Sequence, residues 1–216
     1  KNHRNGAKNP VAHFRKELTM EDAMNAPTVS EPLHLYDCCP VSDGASAVVL
    51  VSENAAKKYT DTPVWVRGSG AATDLLAVHQ RESLTSLKAT AAAGKAAMRD
   101  AGVELRDIDL AEMHDCFTIA ELVAMEDLGF APKGGAGRMV RDGETEIGGR
   151  IPVNPSGGLK SKGHPLGATG TGQICELFKQ LRGKAEKGRE VKGAEVALAH
   201  NVGGSGATCA VHVLGV

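Results

Sequence analysis

The segment Ser161-Lys162-Gly163-His164-Pro165-Leu166-Gly167-Ala168-Thr169-Gly170 sets one imidazole at a glycine-lined entrance to a predicted helix over 168–181. Pro165 fixes an extended entry, and the glycines let backbone approach backbone or ligand closely. A histidine held there can shuttle a proton near neutral pH or offer an N–H to a developing oxyanion. It can also be a loop histidine that merely caps or packs, and this segment alone does not separate the two. Two further turns carry similar groups. Glu112-Met113-His114-Asp115-Cys116-Phe117 closes an apolar run at a strand-to-helix junction, and His200-Asn201-Val202-Gly203-Gly204-Ser205-Gly206 lies between two strand-like runs as a tight hairpin turn. Polar turns at the ends of buried strands can converge on one face of a sheet, where α/β proteins usually hold ligands.

The elements that must position these turns follow from periodicity. Strands are predicted near 46–51, 64–72, 110–113, 195–199 and 207–214, and helices over 52–59, 87–101, 119–128 and 168–181. Their alternation predicts an α/β fold with a mixed five-stranded sheet covered by helices on both faces. Residues 1–33 are polar, carry Pro10, Pro27 and Pro32, and hold one predicted helix over 10–18. The alanine-rich 87–101 stretch reads as a core helix with a wet face of Lys88, Lys95 and Arg99, and Gly134-Gly135-Ala136-Gly137-Arg138 as a flexible connection near the rim of the site.

With 42% hydrophobic residues, a net charge of −1 and 26 glycines, the chain fits a close-packed sheet protein without a nucleic-acid footprint. No apolar run of about 18 residues predicts a membrane span. The five cysteines lack framework or zinc-ligand spacing, which suggests reduced thiols and a cytoplasmic location with no metal. Cys38, Cys39, Cys175 and Cys209 read as small buried hydrophobes.

The chain resembles the thiolase superfamily, in the branch of the sterol-carrier-protein-type thiolases and the archaeal acetoacetyl-CoA thiolases. The resemblance rests on Gly163-His164-Pro165, on His114-Asp115-Cys116-Phe117 and on Asn201-Val202-Gly203-Gly204. Weaker support comes from Ser42-Asp43-Gly44-Ala45-Ser46-Ala47 and from Asn154-Pro155-Ser156-Gly157-Gly158. It covers nearly the whole chain but only the second half of the family's usual length. It implies the C-terminal half of a layered α-β-α-β-α fold, with 1–34 as the tail of the loop or lid domain and 35–216 as the C-terminal core. The family's nucleophilic cysteine lies in the N-terminal half, so none is assigned here. The polar opening Lys1-Asn2-His3-Arg4-Asn5-Gly6, without an initiator Met, reads as a fragment or as one subunit of a split enzyme.

The resemblance implies Claisen condensation of two acetyl-CoA to acetoacetyl-CoA, or the reverse thiolysis, through a cysteinyl acyl-enzyme. His164 would deprotonate the nucleophilic thiol and, with His114, bind the thioester oxygen that becomes enolate-like. Cys116, expected to have a lowered pKa at a helix N-terminus, would move the α proton; the position that carries this role elsewhere in the superfamily is Asn201, whose amide cannot titrate. Gly203 and Gly204 would supply amides to a second oxyanion hole beside Asn201, and Asp115 would cap the following helix. Coenzyme A enters as part of the substrate, with no tightly bound cofactor. Implied partners are acyl-CoA, further copies in a homodimer or homotetramer, and a hydroxymethylglutaryl-CoA synthase joined through an OB-fold/zinc-ribbon protein. Two other readings stand beside this one: an acyl-CoA-binding or scaffold half without its own catalysis, and a thiolase-like retro-aldolase. Ketoacyl synthases share a Lys-Ser-x-x-Gly-His turn, but the His114–Phe117 turn argues against them.

Overall fold

The computed structural model describes all 216 residues. In chain order the elements are α1 (Asn2–Ala7), α2 (Met20–Met24), β1 (Thr28–Ser30), β2 (Leu33–His34), α3 (Glu53–Ala56), β3 (Trp65–Thr73), α4 (Lys88–Ala101), β4 (Leu110–Glu112), α5 (Thr118–Leu128), α6 (Ala136–Arg141), α7 (Gly158–Lys162), α8 (Thr169–Leu181), β5 (Val196–Gly203) and β6 (Thr208–Gly215). The main sheet has four strands in the order β3-β6-β5-β4, and β1 and β2 form a separate small ribbon. β3 with β6 and β6 with β5 are antiparallel, whereas β5 with β4 is parallel, so the sheet is mixed.

Alternation along the strands sorts the core onto two faces. Val196 and Leu198 of β5 join Ala111, Met113, Val211 and Val213 beneath α4 and α5. Ala197 and Ala199 join Leu110 and Leu214 beneath Leu177 and Leu181 of α8. Each such leucine, removed from water, stabilises the fold by about 1.5–3 kcal/mol. The sheet is thus covered on both faces, and the α/β reading of the sequence holds.

α4 reaches the sheet unusually closely because β3 presents glycine to it. A Cβ added at Gly68 would lie 2.2 Å from the carbonyl oxygen of Ala97, and one at Gly70 would lie 2.2 Å from that of Ala93. The alanines of α4 give a slim helix, the glycines of β3 a slim strand, and backbone meets backbone.

Four local expectations differ from the structure. Residues 46–51 form no strand, which leaves the main sheet with four strands and not the five expected: Ser46 donates its hydroxyl to Ala168 O and Cys175 its thiol to Ala47 O, so the segment runs along α8 and finds no free strand edge. Its Val49 and Leu50 are 89% and 76% exposed. The helix expected over 52–59 shrinks to α3. Residues 10–18 are not helical, because the amides of His13 and Phe14 are taken by the carbonyls of Lys162 and Ser161 at 3.0 and 2.9 Å; α1 and α2 lie on either side. Residues 136–141 of the glycine-rich connection are helical as α6. It follows the C-terminal end of α5, roughly 16 Å of helix from the His114–Phe117 turn.

The α4–β3 contact yields a stability test. Gly70→Ala should lower the urea midpoint of the native protein at unchanged slope, corresponding to about 1–3 kcal/mol, because only backbone shifts can admit the methyl. Gly137→Ala, in α6 with nothing within 4 Å of the added Cβ, should be neutral or stabilising.

Candidate active site

β4 and β5 pair with Leu110 opposite Ala197 and Glu112 opposite Ala199. Continued two residues beyond β4, that register brings His114 beside Asn201, and alternation turns both toward α8. The side chains meet there, with Asn201 Nδ2 3.3 Å from His114 Nδ1. His164 arrives from the turn ahead of α8. Its ring stands perpendicular to that of His114 with the centroids 4.9 Å apart. Asn201 lies within β5, which runs on to Gly203 through what the sequence suggests is a turn, so one strand residue and two residues from separate turns share one place at the carboxyl ends of the parallel strands.

Each histidine is tied down at Nδ1. His164 Nδ1 is 2.7 Å from Thr169 Oγ1, on the first turn of α8, and that hydroxyl donates to Pro165 O at 3.1 Å. Asn201 Nδ2 also donates to Gln173 Oε1 at 3.1 Å, and Gln173 Nε2 donates to His200 O at 2.9 Å. Burial lowers the pKa of His114 to about 3, helped by repulsion from His164 and His200. His164 is lowered too, by burial and then by Lys162. Both imidazoles are therefore neutral at physiological pH, each with one ring N–H to donate and one lone pair to accept a proton.

The backbone between β4 and α5 is held by carboxylates. Glu112, fully buried, accepts from Ser156 N at 2.9 Å and Ser156 Oγ at 2.7 Å. Asp115 does not cap α5, whose N-cap is Phe117 without a side-chain bond. Alternation turns it away from His114 toward α7, where it accepts from Leu159 N at 2.6 Å and from Asn2 Nδ2 at 2.6 Å. Gly158 makes this fit, since a Cβ there would come 2.3 Å from the carboxylate and its φ is +61°. Asn154 closes the same turn, accepting from Met113 N at 2.7 Å and donating to Glu121 at 2.8 Å.

The remaining predicted site residues stand outside this hydrogen-bonded group. Cys116 lies against Cys39, whose amide donates to Cys116 O at 2.9 Å, and Cys38 bridges Phe117. Its thiol is pushed up to about 11, by burial first and then by Cys39 and Asp115. The expected lowering at a helix start is overturned because the flanking charge is negative and the site is dry. Gly203 and Gly204 sit at the exposed tip of the β5–β6 hairpin, past Asn201, with Ser205 in the left-handed region. Cys209 is buried as expected, but Cys38, Cys39 and Cys175 are only half-buried, and Cys175 lines a cleft of about 380 Å³ with Ser46, Lys162, Thr169 and Glu176. Periodicity placed it on α8 correctly and misjudged the cover over that side of the helix, because 46–51 passes beside it as an open segment.

Gln173 lies outside the sequence motifs, whereas Thr169 and Asn154 lie within them without an assigned role. Thr169, Gln173, Glu176 and Gln180 are all buried and recur at spacings of four, three and four, a polar stripe on the inner face of α8. That pattern is a readable signal for buried polar partners.

The raised thiol predicts slow alkylation. Modification of Cys116 by iodoacetamide, followed by peptide mass spectrometry, should rise about tenfold per pH unit through neutrality and level off only near pH 11. A plateau near pH 7 would mean that the thiolate is stabilised after all.

A family described as "Thiolase C-terminal domain-like" matches residues 70–216. An acetyl-CoA acetyltransferase of Methanothermobacter thermautotrophicus is 51% identical over 212 residues, covering 98% of this chain and 55% of the relative. Sterol carrier protein 2 of Oryctolagus cuniculus is 42% identical, over 96% of this chain and 39% of the relative. The chain thus spans about half, or less, of the length of the curated relatives it matches. Among solved structures, the Ltp2-ChsH2(DUF35) aldolase superposes with a TM-score of 0.87 at 27% identity, over 99% of this chain and 56% of that one. The Bacillus anthracis acetyl-CoA acetyltransferase gives 0.68 at 19% identity, over 94% and 44%, and supports the fold alone. The architecture, the three turns and these matches agree: the chain belongs to the thiolase family and contains its C-terminal domain.

Proposed function

We propose that this chain supplies the acid/base half of an acyl-CoA acyltransferase that joins two acetyl-CoA molecules into acetoacetyl-CoA or runs the reverse thiolysis. The observation that carries the reading is the pair of neutral imidazoles, His114 and His164, facing each other at 4.9 Å, with Asn201 on His114. The acetyltransferase relative at 51% identity supports the substrate class. The nucleophilic cysteine would belong to the part of the relatives' length that this chain does not span. Residues 1–34 would be the tail of a loop domain over the acyl-CoA, and 35–216 the core.

In this mechanism His164 takes the proton of the attacking thiol. His114 donates to the thioester oxygen as it gains enolate character, and His164, once it carries the thiol's proton on Nε2, helps bind the same oxygen. Such a donor is worth on the order of 10²-fold in rate or more. A neutral donor suits this task, since its pKa stays far below the working pH and it gives up no proton before the charge develops. Cys116, held as a protonated thiol, can return a proton to the departing enolate carbon in the cleavage direction, becoming a thiolate, and that thiolate takes the α proton in the reverse. Amides at Gly203 and Gly204 would complete a second oxyanion hole once acyl-CoA and the rest of the enzyme close on the hairpin tip. A cytoplasmic homodimer or homotetramer, and assembly with a hydroxymethylglutaryl-CoA synthase through an OB-fold/zinc-ribbon protein, belong to the same proposal.

The superposition on an aldolase favours a second reading, retro-aldol cleavage of an acyl-CoA side chain. The two differ in their need for free coenzyme A. The native protein, with any further chain it carries, should consume acetoacetyl-CoA only when free coenzyme A is present and yield two acetyl-CoA. Cleavage without coenzyme A, releasing a free carbonyl compound, sinks the thiolase reading. Binding of acetyl-CoA with no covalent acetyl on any cysteine would favour a binding half. Cys116→Ser should keep acyl-enzyme formation and stop carbon–carbon bond formation, whereas His164→Ala should slow acylation itself by about 10²–10⁴-fold. Equal loss of both steps in Cys116→Ser would mean that its role is misassigned.

A further inference from the structure

We propose that Gln173 and Thr169 are positioning residues that lock the two facing imidazoles into opposite tautomers. His114 is held with its proton on Nε2, as a hydrogen-bond donor, and His164 with its proton on Nδ1, leaving the Nε2 lone pair free as a base. The inference rests on the acyltransferase reading for its consequence in catalysis, but the tautomers themselves are argued from hydrogen bonding and not from that reading.

The first relay starts at main-chain carbonyls, which can only accept. Gln173 places one end of its amide 2.9 Å from His200 O and 3.4 Å from Glu112 O. That end must be the NH₂ group, so the other end, Oε1, is an acceptor. Oε1 lies 3.1 Å from the Asn201 amide, which must therefore turn its own NH₂ toward it. The same Nδ2 is 3.3 Å from His114 Nδ1. A neutral imidazole facing an N–H donor at Nδ1 offers its lone pair there and carries its proton on Nε2. Flipping either amide would set oxygen against oxygen or N–H against N–H. Gln173 is fully buried and Asn201 half-buried, so water does not readily relieve such a clash.

The second relay has the opposite sense. The Thr169 hydroxyl has one proton, and Pro165 O lies 3.1 Å away to accept it. With the proton given to Pro165 O, the lone pairs face His164 Nδ1 at 2.7 Å and that nitrogen is the donor, which is the arrangement proposed. Neither Nε2 has a partner within the chain, and neither is among the sealed, unpartnered polar atoms. The two free ends are thus unlike: one N–H, one lone pair. A donor for the thioester oxygen and a base for the thiol need this pairing, and two donors or two acceptors would leave one role unfilled.

The test is long-range ¹H–¹⁵N correlation on the native protein with labelled histidine, without substrate. His114 should show the Nε2–H pattern and His164 the Nδ1–H pattern near pH 7. Gln173→Met should scramble the His114 tautomer and lower kcat in thiolysis by about 10²-fold, with KM changed less than a few-fold. Thr169→Val should scramble His164 alone. Gln173→Glu guards against a misfolded variant: its protonated carboxyl can replace both ends of the amide, while the carboxylate has no donor for His200 O. Its activity relative to the wild type should therefore fall as pH rises. An Nδ1–H pattern for His114 in the wild type, or a Gln173→Glu profile parallel to the wild type at every pH, overturns the inference. If the tautomers are as stated and thiolysis is absent, this inference stands and the acyltransferase reading falls.

Discussion

The parallel pairing of β4 with β5 is the constraint on which the rest of the arrangement depends. Strand side chains alternate, so a slip of one residue would send every group to the other face of the sheet. In the observed register Leu110, Glu112 and His114 look toward α8, with Ala197, Ala199 and Asn201 beside them. A slip would bury His114 among the apolar side chains under α4 and α5 and turn Met113 toward the site. The register is fixed at both ends. Asp109 accepts from the amides of Glu195 and Val196 at 2.8 and 2.9 Å, and Asn154 accepts from Met113 N at the other end.

Around that ladder lies a layer of polar side chains that an apolar core would not need. Glu112, Asp115, Glu121, Gln173 and His200 are all buried. Left unpartnered, each would cost about 1–3 kcal/mol, and more where charged. Each has a partner, and the partners come from other elements: Ser156 before α7, Leu159 within it, Asn2 in α1, Asn201 on β5 and Thr90 on α4. These bonds add little net stability beyond meeting that cost. Their effect is to leave the turn between β4 and α5 few alternative arrangements, since rotating Asp115 away from α7 would orphan both the carboxylate and the Leu159 amide. Its neighbours His114 and Cys116 are aimed by that anchor.

Much of this was legible in the residues. The junction after β4 that carries His114, and helices α4, α5 and α8, form where the patterns put them, whereas β5 runs on through Asn201 to Gly203 and the His164 turn joins α7 to α8 instead of ending a strand. The apolar run 46–51 was not legible as an open segment, because its composition is that of a strand and its missing partner is a tertiary fact. The 10–18 stretch misled in the same way, since the hydrogen bonds that hold it extended come from α7. For Cys116 the helix dipole was visible in the order of elements, but the neighbouring Cys39 lies 77 positions away in sequence and the burial is a property of the packed turn. Asp115 illustrates the limit at single-residue scale. It precedes a helix and is the right type for a cap, yet strand alternation decides its direction and sends it to α7.

The opposite treatment of the two histidines also follows from where each sits in its element. His164 precedes Pro165, whose carbonyl at a helix entrance accepts from the Ala168 and Thr169 amides at 2.9 and 3.0 Å. A threonine in that first turn can give its hydroxyl proton to the same carbonyl and still face back toward the ring, so the polarity of the His164 contact is built into a helix start. His114 lies past the end of a strand and has no such local partner. Its polarity must be carried from main-chain carbonyls on β4 and β5 through two amides, and the Gln173 link comes from the helix that His164 introduces. Moving α8 along its axis would therefore disturb both imidazoles together, which makes the seating of that one helix on the sheet the mechanical link between them.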